Sequence, residues 1–229
     1  MTEDSTPESY ADLGATTQEA MAIATTSMDR VRELVPDETL DDRLRQKAVH
    51  ATGDPEFQYL LRVANEPARA GGRAVRENRT IITDVSMVQS GITNRGHQCS
   101  VTAAIGHGTE LAERTGMTRT AAAVLTLDRD GRYDDAIAVV GNAPTAALAL
   151  ADCIEDGTRP AVVVATPVGF VKAHTAKERL RSVATTTGVP IVTAVGRRGG
   201  SGLAAGLTNE LVHVAADAND GEITVDTDD

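Results

Sequence analysis

The spacing of hydrophobic residues divides the chain into an N-terminal helical part and a longer part with a mixed pattern. Apolar residues recur at helical spacing from Thr17 to Leu34, and Pro36 ends that pattern. A second helical pattern starts at about Thr39, with Leu44 and Ala48 on its apolar face. Two further helices are predicted over residues 55–63 and from about residue 67.

Five β-rich runs follow, and helical segments separate them. Three of the runs are almost continuously apolar, which is typical of strands buried on both faces of a parallel sheet. The predicted strands are 80–85, 98–102, 136–140, 161–165 and 190–195, and the predicted helices are 107–116, 119–130, 143–156, 171–187 and a segment after 200. This alternation predicts an α/β fold, a doubly wound, mainly parallel open sheet of about five strands with flanking helices and an N-terminal helical segment.

Polar segments lie at both ends of one predicted domain. Residues 1–16 are polar and rich in turn formers, residues 217–229 are acidic, and both are predicted to be solvated tails. No linker-like segment divides residues 17–216, so a single α/β domain is expected there.

The composition changes the picture in two ways. The formal net charge is −11 and the lysines are only Lys47, Lys172 and Lys177, which favours adaptation to high salt over the alternative of ordinary acidic drift. Aromatic residues make up 2% of the chain, and no basic stripe is visible, so nucleic acid is not an expected partner. The chain lacks an apolar run of membrane-spanning length and a signal-peptide pattern, so a cytoplasmic protein without a membrane partner is expected.

Cysteine and histidine spacing gives little support for a metal site. Cys99 and Cys153 are far apart and outside any CxxC pattern, so buried or half-buried free thiols are expected instead of a disulfide framework. A site formed by His97, Cys99 and His107 has only weak support from its spacing. Surface or structural roles are expected for the histidines 97, 107, 174 and 213.

The segments that follow the predicted strands share features of a ligand site. In open α/β sheets ligands bind outside the carboxyl ends of the strands, where helix N-termini offer backbone N–H groups to anions. None of these loops has a dinucleotide or P-loop fingerprint, and a simple tight turn is the alternative at each one taken singly. The candidate binding residues are Thr83, Asp84, Met87, Ser90 and Gly91; Gly141, Asn142, Ala143, Pro144 and Thr145; Pro167, Val168, Gly169 and Phe170; and Arg197, Gly199, Gly200 and Ser201.

His50 is the candidate catalytic residue. It lies near the C-terminal end of the second predicted helix, where the helix dipole favours an imidazolium. Asp54 and Glu56 follow it and are expected to raise its pKa further, although Asp54-Pro55-Glu56 also fits the start of a new helix.

Together these motifs resemble the precorrin-8X methylmutase family, including its cobalt-precorrin-8 members. The similar segments are V-H-A-T-G-D-P-E-F, I-I-T-D-V-S-M-V-Q-S-G-I, G-M-T-R-T-A-A, V-G-N-A-P-T, R-P-A-V-V-V-A-T-P-V-G-F-V, A-K-E-R-L and V-P-I-V-T-A-V-G-R-R-G-G-S. The resemblance implies an isomerase that moves a methyl group from C-11 to C-12 of a corrinoid and needs no cofactor. It does not distinguish a metal-free from a cobalt-containing substrate.

The same resemblance implies roles for single residues and for partners. His50, in the family's H-A-T motif, would protonate a ring nitrogen, and Ser27 and Arg119 would lie near the substrate. A homodimer with sites near the interface is implied, with possible hand-over of the product to the next pathway enzyme. Two alternatives stay open, a non-catalytic tetrapyrrole binder or carrier and, from the fold alone, a nucleotide-binding enzyme.

Overall fold

A six-stranded mixed sheet forms the centre of the computed structural model, which describes residues 17–219. The strands are β1 (Leu61–Ala64), β2 (Ile81–Thr83), β3 (Val101–Ala103), β4 (Ile105–Gly108), β5 (Ile137–Val140), β6 (Val162–Ala165) and β7 (Ile191–Ala194). The helices are α1 (Gln18–Leu34), α2 (Asp42–Thr52), α3 (Phe57–Leu60), α4 (Pro67–Arg76), α5 (Ser86–Gly91), α6 (Thr109–Thr115), α7 (Arg119–Arg129), α8 (Pro144–Asp156), α9 (Ala173–Thr187) and α10 (Ser201–Asn219).

The sheet order is β1-β7-β6-β5-β2-β3, and all neighbouring strands are parallel except β1 and β7. The predicted open, mainly parallel sheet is therefore confirmed, and all five predicted strands are present as β2, β3, β5, β6 and β7. Strand β4 lies outside this order and packs against α7.

The sheet has one strand more than predicted, because residues 61–64 form an edge strand where the sequence predicted the end of a helix. Leu61 pairs with Ala194 and Ala64 with Ile191 in the antiparallel ladder with β7. A four-residue segment is too short to show a diagnostic period of its own, so its pairing with β7 determines its conformation. Helix α5 and strand β4 were also not predicted, and both have at most six residues.

Side chains alternate between two hydrophobic cores, one on each face of the sheet. In β5, Ile137 and Val139 face the core formed with α2, α4 and α10, whereas Ala138 and Val140 face the core formed with α7, α8 and α9. All four are at most 3% exposed. Alanines make up much of the second core, which allows close helix packing in a chain almost without aromatic residues.

Two local features place the N-terminal helices. Thr17 caps α1 by accepting a hydrogen bond from the Ala20 N–H at 3.2 Å. Helix α2 ends at Gly53, whose left-handed conformation (φ 66°) lets its N–H bond to the Val49 carbonyl. His50 therefore lies in the last turn of α2, as predicted.

Helix α1 is attached to the rest of the protein near its C-terminal end. Val31 is its buried residue, whereas Met21, Ile23 and Leu34 are 43%, 64% and 54% exposed. Of the two predicted tails, 1–16 and 217–229, only residues 217–219 are described, and they continue α10. No helix within residues 17–219 is long and apolar enough to cross a membrane.

Candidate active site

A pocket of about 580 Å³ lies between α1 and the C-terminal end of α2. His50 lines it and is half-buried, and Ser27 faces the same space from α1. The lining residues are Glu19, Ala22, Ile23, Thr26, Ser27, Arg30, Val31, Leu34, Val49, His50, Gly53 and Pro55. Of the predicted site residues, His50 and Ser27 are therefore brought together in this pocket.

The other pocket residues on α1 were not predicted as site residues. Ile23, Ser27, Arg30 and Leu34 recur at intervals of three or four along the helix, so they share one face. That spacing was visible in the sequence, but it reads equally well as an ordinary core-facing stripe. In the structure the stripe is only partly covered, since Ile23 and Leu34 remain more than half exposed.

The protonation of His50 differs from the sequence-based expectation. Burial lowers the pKa of His50 below its ordinary value and the Lys47 charge lowers it further, while Glu210 opposes them. Asp54 and Glu56 are not among the groups that shift it, and both instead bind Arg198, at 3.1 and 2.5 Å. The expected rise in the pKa of His50 is therefore corrected to a fall.

The second contact of the Asp54 carboxylate fits the alternative prediction, a capping role at the start of a new helix. Its carboxylate accepts a hydrogen bond from the Glu56 N–H at 3.0 Å, in the turn that leads into α3. Pro55 lies between them, as is typical of the beginning of a helix.

A buried charge cluster lies behind His50, between α2 and α10. Glu210 accepts from Arg43 Nε at 2.9 Å and lies 4.0 Å from Lys47 Nζ and 3.3 Å from His213 Nδ1. Burial by itself would raise the pKa of Glu210, but the hydrogen bond and charge of His213, with Arg43 and Lys47, outweigh that effect and lower it. This cluster joins α2 to α10 one turn before His50 and supplies the cation that lowers the pKa of the imidazole.

The Asp84 side chain is the hydrogen-bond acceptor for the backbone of the loop after β5. Its carboxylate accepts hydrogen bonds from the N–H groups of Gly141, Asn142 and Ala143, at 3.1, 2.9 and 2.7 Å. The sequence predicted these amides as a cradle for a ligand's anionic group. In the structure the protein's own carboxylate takes that place, and Asp84 and Thr83 are 2% and 0% exposed. Asp84 therefore supports the loop from inside, whereas the Thr83 hydroxyl donates to the Val85 carbonyl at 3.2 Å.

The loops after β6 and β7 are joined directly to each other. The Gly169 N–H donates to the Arg197 carbonyl at 3.1 Å, and the Gly200 N–H donates to the Thr166 carbonyl at 2.7 Å. Gly199 has φ 149°, and a Cβ at this position would lie 2.1 Å from the Thr166 carbonyl oxygen. Only glycine fits such a close approach of two backbones.

Side chains of these loops form an exposed rim. Val168 and Phe170 are 46% and 87% exposed, and the Arg197 guanidinium lies 5.2 Å from the centre of the Phe170 ring. Pro167 is buried, Ser201 is 9% exposed at the beginning of α10, and the loop's other predicted residues are glycines. An apolar ring with a cation over it suits a flat ligand that carries carboxylates.

The remaining predicted residues are on the surface near other strand ends. Met87 is 70% exposed, Ser90 and Gly91 are exposed in α5, and the Arg119 side chain is exposed at the first position of α7. Pro144 and Thr145 begin α8, and the Thr145 hydroxyl bonds to that of Thr118 at 2.8 Å. None of these residues lines the His50 pocket.

The other histidines and the cysteines have separate positions. His107 and His174 are exposed, the His97 ring accepts from the Cys99 N–H at 3.0 Å, and His213 is 6% exposed beside Glu210. Cys99 and Cys153 are buried free thiols, as predicted. Within residues 17–219 no three side chains of His, Cys, Asp or Glu are grouped so that they could hold a metal ion.

Comparison with known proteins identifies similar sequences and structures. The sequence model of the family "Precorrin-8X methylmutase" matches residues 22–214. The cobalt-precorrin-8 methylmutase of Methanocaldococcus jannaschii is 34% identical over 214 residues, which cover 89% of this chain and 98% of that protein. The precorrin-8X methylmutase of Pseudomonas aeruginosa is 34% identical over 175 residues, which cover 74% of this chain and 82% of that protein. A crystal structure of the precorrin-8X methyl mutase from Thermus thermophilus aligns with a TM-score of 0.77 and 34% identity, covering 86% of this chain and 98% of that chain.

Proposed function

The chain belongs to the precorrin-8X methylmutase family, and from that premise we propose that His50 is the general acid of its reaction. The enzyme is an isomerase of cobalamin biosynthesis that moves a methyl group from C-11 to C-12 of its corrinoid substrate. The observation that carries the proposal is the half-buried imidazole of His50 in a pocket at the end of α2.

In this mechanism the His50 imidazolium protonates a ring nitrogen of the bound macrocycle. The added positive charge draws electrons away from the neighbouring carbons and makes the methyl shift easier. The bond from C-11 to the methyl carbon breaks as the bond to C-12 forms, and the proton then returns to His50. No atom or electron is gained or lost, and positioned proton transfer of this kind contributes about 10²–10⁴-fold to a rate.

The lowered pKa of His50 in the free protein is compatible with this role. The substrate class carries acetate and propionate carboxylates, and negative charges near an imidazole raise its pKa. Substrate binding is therefore expected to raise the pKa of His50 and so to increase its protonated fraction. We propose that Arg30 in the pocket and Arg197 on the rim bind substrate carboxylates, since both cations are exposed near candidate ligand surfaces.

Replacement of His50 tests the proposal. His50→Ala is expected to keep corrinoid affinity within a few-fold, because it removes one side chain from a large pocket. It is expected to lose about 10²–10⁴-fold in kcat, since the proton donor is absent. Turnover is followed by the absorbance change from substrate to product, with metal-free and with cobalt-containing substrate, and affinity by titration of the substrate spectrum.

His174→Ala is the matched control, because His174 is an exposed histidine that pairs with Glu178 at 3.2 Å on α9. It is expected to turn over like the unmodified protein. Normal turnover by His50→Ala would refute the general-acid role. A wild-type protein that binds the corrinoid but never changes its spectrum would indicate a binder or carrier.

The pH dependence gives a second test with a defined sign. The pH profile of kcat/KM reports ionisations of the free enzyme, and that of kcat reports those of the bound complex. Because the imidazolium is the active form, kcat/KM should fall as the pH rises, with an apparent pKa below 6.5. The fall in kcat should occur at higher pH, because substrate carboxylates stabilise the imidazolium in the complex. Equal apparent pKa values in the two profiles would contradict the substrate-induced rise.

We also propose that the enzyme is a homodimer that uses α1 in its interface. The exposed apolar side chains of Met21, Ile23 and Leu34 on α1 support this assignment. Light scattering during gel filtration should give twice the chain mass, and Met21→Asp should shift the mass towards one chain. Glu33→Asp, a conservative change at an exposed position of the same helix, should leave it unchanged. A wild-type protein that elutes with the mass of one chain would refute the dimer.

A further inference from the structure

A buried lysine on α9 contacts the backbone of the loop after β7. Lys177 is 0% exposed, and its ammonium donates a hydrogen bond to the Arg198 carbonyl at 2.7 Å. Burial lowers the pKa of Lys177 to about 8, with a further contribution from Arg181.

An ammonium in this position is costly to the fold. Moving an ion out of water is unfavourable, and one carbonyl bond offsets only part of that cost. An apolar side chain would fill the same space without that cost. The stability of the fold therefore does not account for a charged side chain at this position.

The carbonyl that Lys177 binds belongs to Arg198, whose side chain contacts a distant part of the chain. The Arg198 side chain leaves the loop and binds Asp54 at 3.1 Å and Glu56 at 2.5 Å. Both acids lie in the turn immediately after Gly53, where the helix that carries His50 ends. Arg198 thus joins the loop after β7 to the end of α2.

The neighbouring contacts leave the loop little freedom. Arg197 and Gly200 are bonded through their backbones to the loop after β6, and Gly199 presses against Thr166. The Arg198 carbonyl lies between these bonds, and Lys177 holds it. Removal of the Lys177 donor would take away a side-chain bond to this carbonyl, so the backbone that carries the Arg198 side chain would lose one of its constraints.

We propose that Lys177 is a positioning residue, which acts through Arg198 to hold the His50 end of α2 in place against the loop after β7. This role rests on the proposed function of His50. It requires no contact between Lys177 and the substrate. The charge on Lys177 strengthens its bond to the carbonyl, because hydrogen bonds with an ionised partner are about twice as strong as neutral ones.

A double-mutant cycle tests this connection. Lys177→Met keeps the length and apolar stem of the side chain and removes the donor, and Arg198→Ala removes the bond to Asp54 and Glu56. Each single change is expected to lower kcat about 10-fold, with KM changed less, because small displacements of a catalytic group are costly. The double variant is expected to lose about 10-fold as well, since both changes break the same connection. A loss of about 100-fold would show independent effects and would overturn the proposal.

Two further measurements separate positioning from folding and from function. The ring signal of His50 in histidine-labelled protein, assigned with His50→Ala, should shift in the same direction in Lys177→Met and in Arg198→Ala; an unmoved signal would overturn the proposal. Arg179→Met is the matched control, because Arg179 is a partly exposed cation of α9 that pairs with Glu155. It should leave the His50 signal in place.

If Lys177→Met does not fold, the variant Asp54→Asn with Glu56→Gln breaks the connection at its other end, on the surface. It should reproduce the His50 signal of Arg198→Ala, and a wild-type signal in it would overturn the proposal. A wild-type protein without turnover would contradict the proposed function of His50. The signal shifts would still test the positioning by Lys177, because they require no reaction.

Discussion

Replacement of Asp84 by asparagine is the sharpest test of the site's internal support. The carboxylate Oδ2 accepts from the Asn142 and Ala143 N–H groups at 2.9 and 2.7 Å, and Oδ1 accepts from Gly141 at 3.1 Å. Asparagine has one acceptor oxygen and one NH₂ group, which occupies nearly the same space. The best orientation keeps the two shorter bonds and places the NH₂ group against the Gly141 N–H.

The magnitude follows from these three bonds. Two charge-assisted bonds become neutral, at about 1 kcal/mol each, and one buried N–H loses its acceptor, at about 1–3 kcal/mol. Burial raises the pKa of Asp84 against the lowering effect of its bonds to Ala143, Gly141 and Asn142, so a neutral side chain recovers part of the desolvation cost. The expected net loss is about 2–4 kcal/mol, which corresponds to a fall in Tm of roughly 4–16 °C for a protein of this size.

Urea unfolding followed by far-UV circular dichroism measures the loss, with Asp152→Asn as the control. Asp152 has a side chain that is 63% exposed and pairs with Arg179 at 3.3 Å, so its replacement should change stability by less than about 0.5 kcal/mol. An Asp84→Asn variant as stable as this control would refute the assignment of Asp84 as the acceptor for the loop after β5.

Three further predictions concern the surroundings of His50 and the loop after β7. Lys47→Met should raise the pKa of His50, because the Lys47 charge is a cause of its lowering and the opposing Glu210 remains; an NMR titration that shows a lower pKa would contradict this. Glu210→Gln should cost about 3–5 kcal/mol at neutral pH, because the buried Lys47 loses its carboxylate partner and Arg43 keeps only Asp217. Since the pKa of Glu210 is lowered from 4.5 in the folded protein, this stability is present above about pH 4.5 and is lost as the pH falls through the folded value, so the unfolding free energies of the two proteins should converge in acid. Gly199→Ala should destabilise the protein by more than about 2 kcal/mol, because its Cβ would lie 2.1 Å from the Thr166 carbonyl oxygen. Gly202→Ala is the control and should be neutral or stabilising, because there is open space around Gly202. Equal thermal stability of the two variants would contradict the close approach.

The fold was largely predictable because its signals are local. The apolar runs of β5 and β6 are buried on both faces, so their composition alone identified them as central strands. Strand β1 was missed because its four residues become a strand only through pairing with β7, which lies far away in the sequence.

The site was less predictable, because its decisive contacts join distant parts of the chain. Asp84 and Gly141 are 57 residues apart, and Arg198 and Asp54 are 144 residues apart. Sequence proximity instead assigned Asp54 and Glu56 to His50, and the structure assigns them to Arg198. The resemblance to a family identified His50, but only the packing of α1 on α2 showed the pocket in which it lies.

Because α1 is only partly buried, substitutions in this helix should affect ligand affinity more than global stability. Hydrophobic stabilisation grows with buried apolar area, and within the chain α1 buries little beyond Val31. Its amide hydrogens should exchange with solvent through local opening, while those of β5 and β6 should exchange only when the whole domain unfolds. Substitutions along the pocket face of α1 can then change which corrinoid binds while the sheet and its two cores remain intact. Natural variation and directed evolution should therefore find new substrate preferences in this helix at low risk to folding.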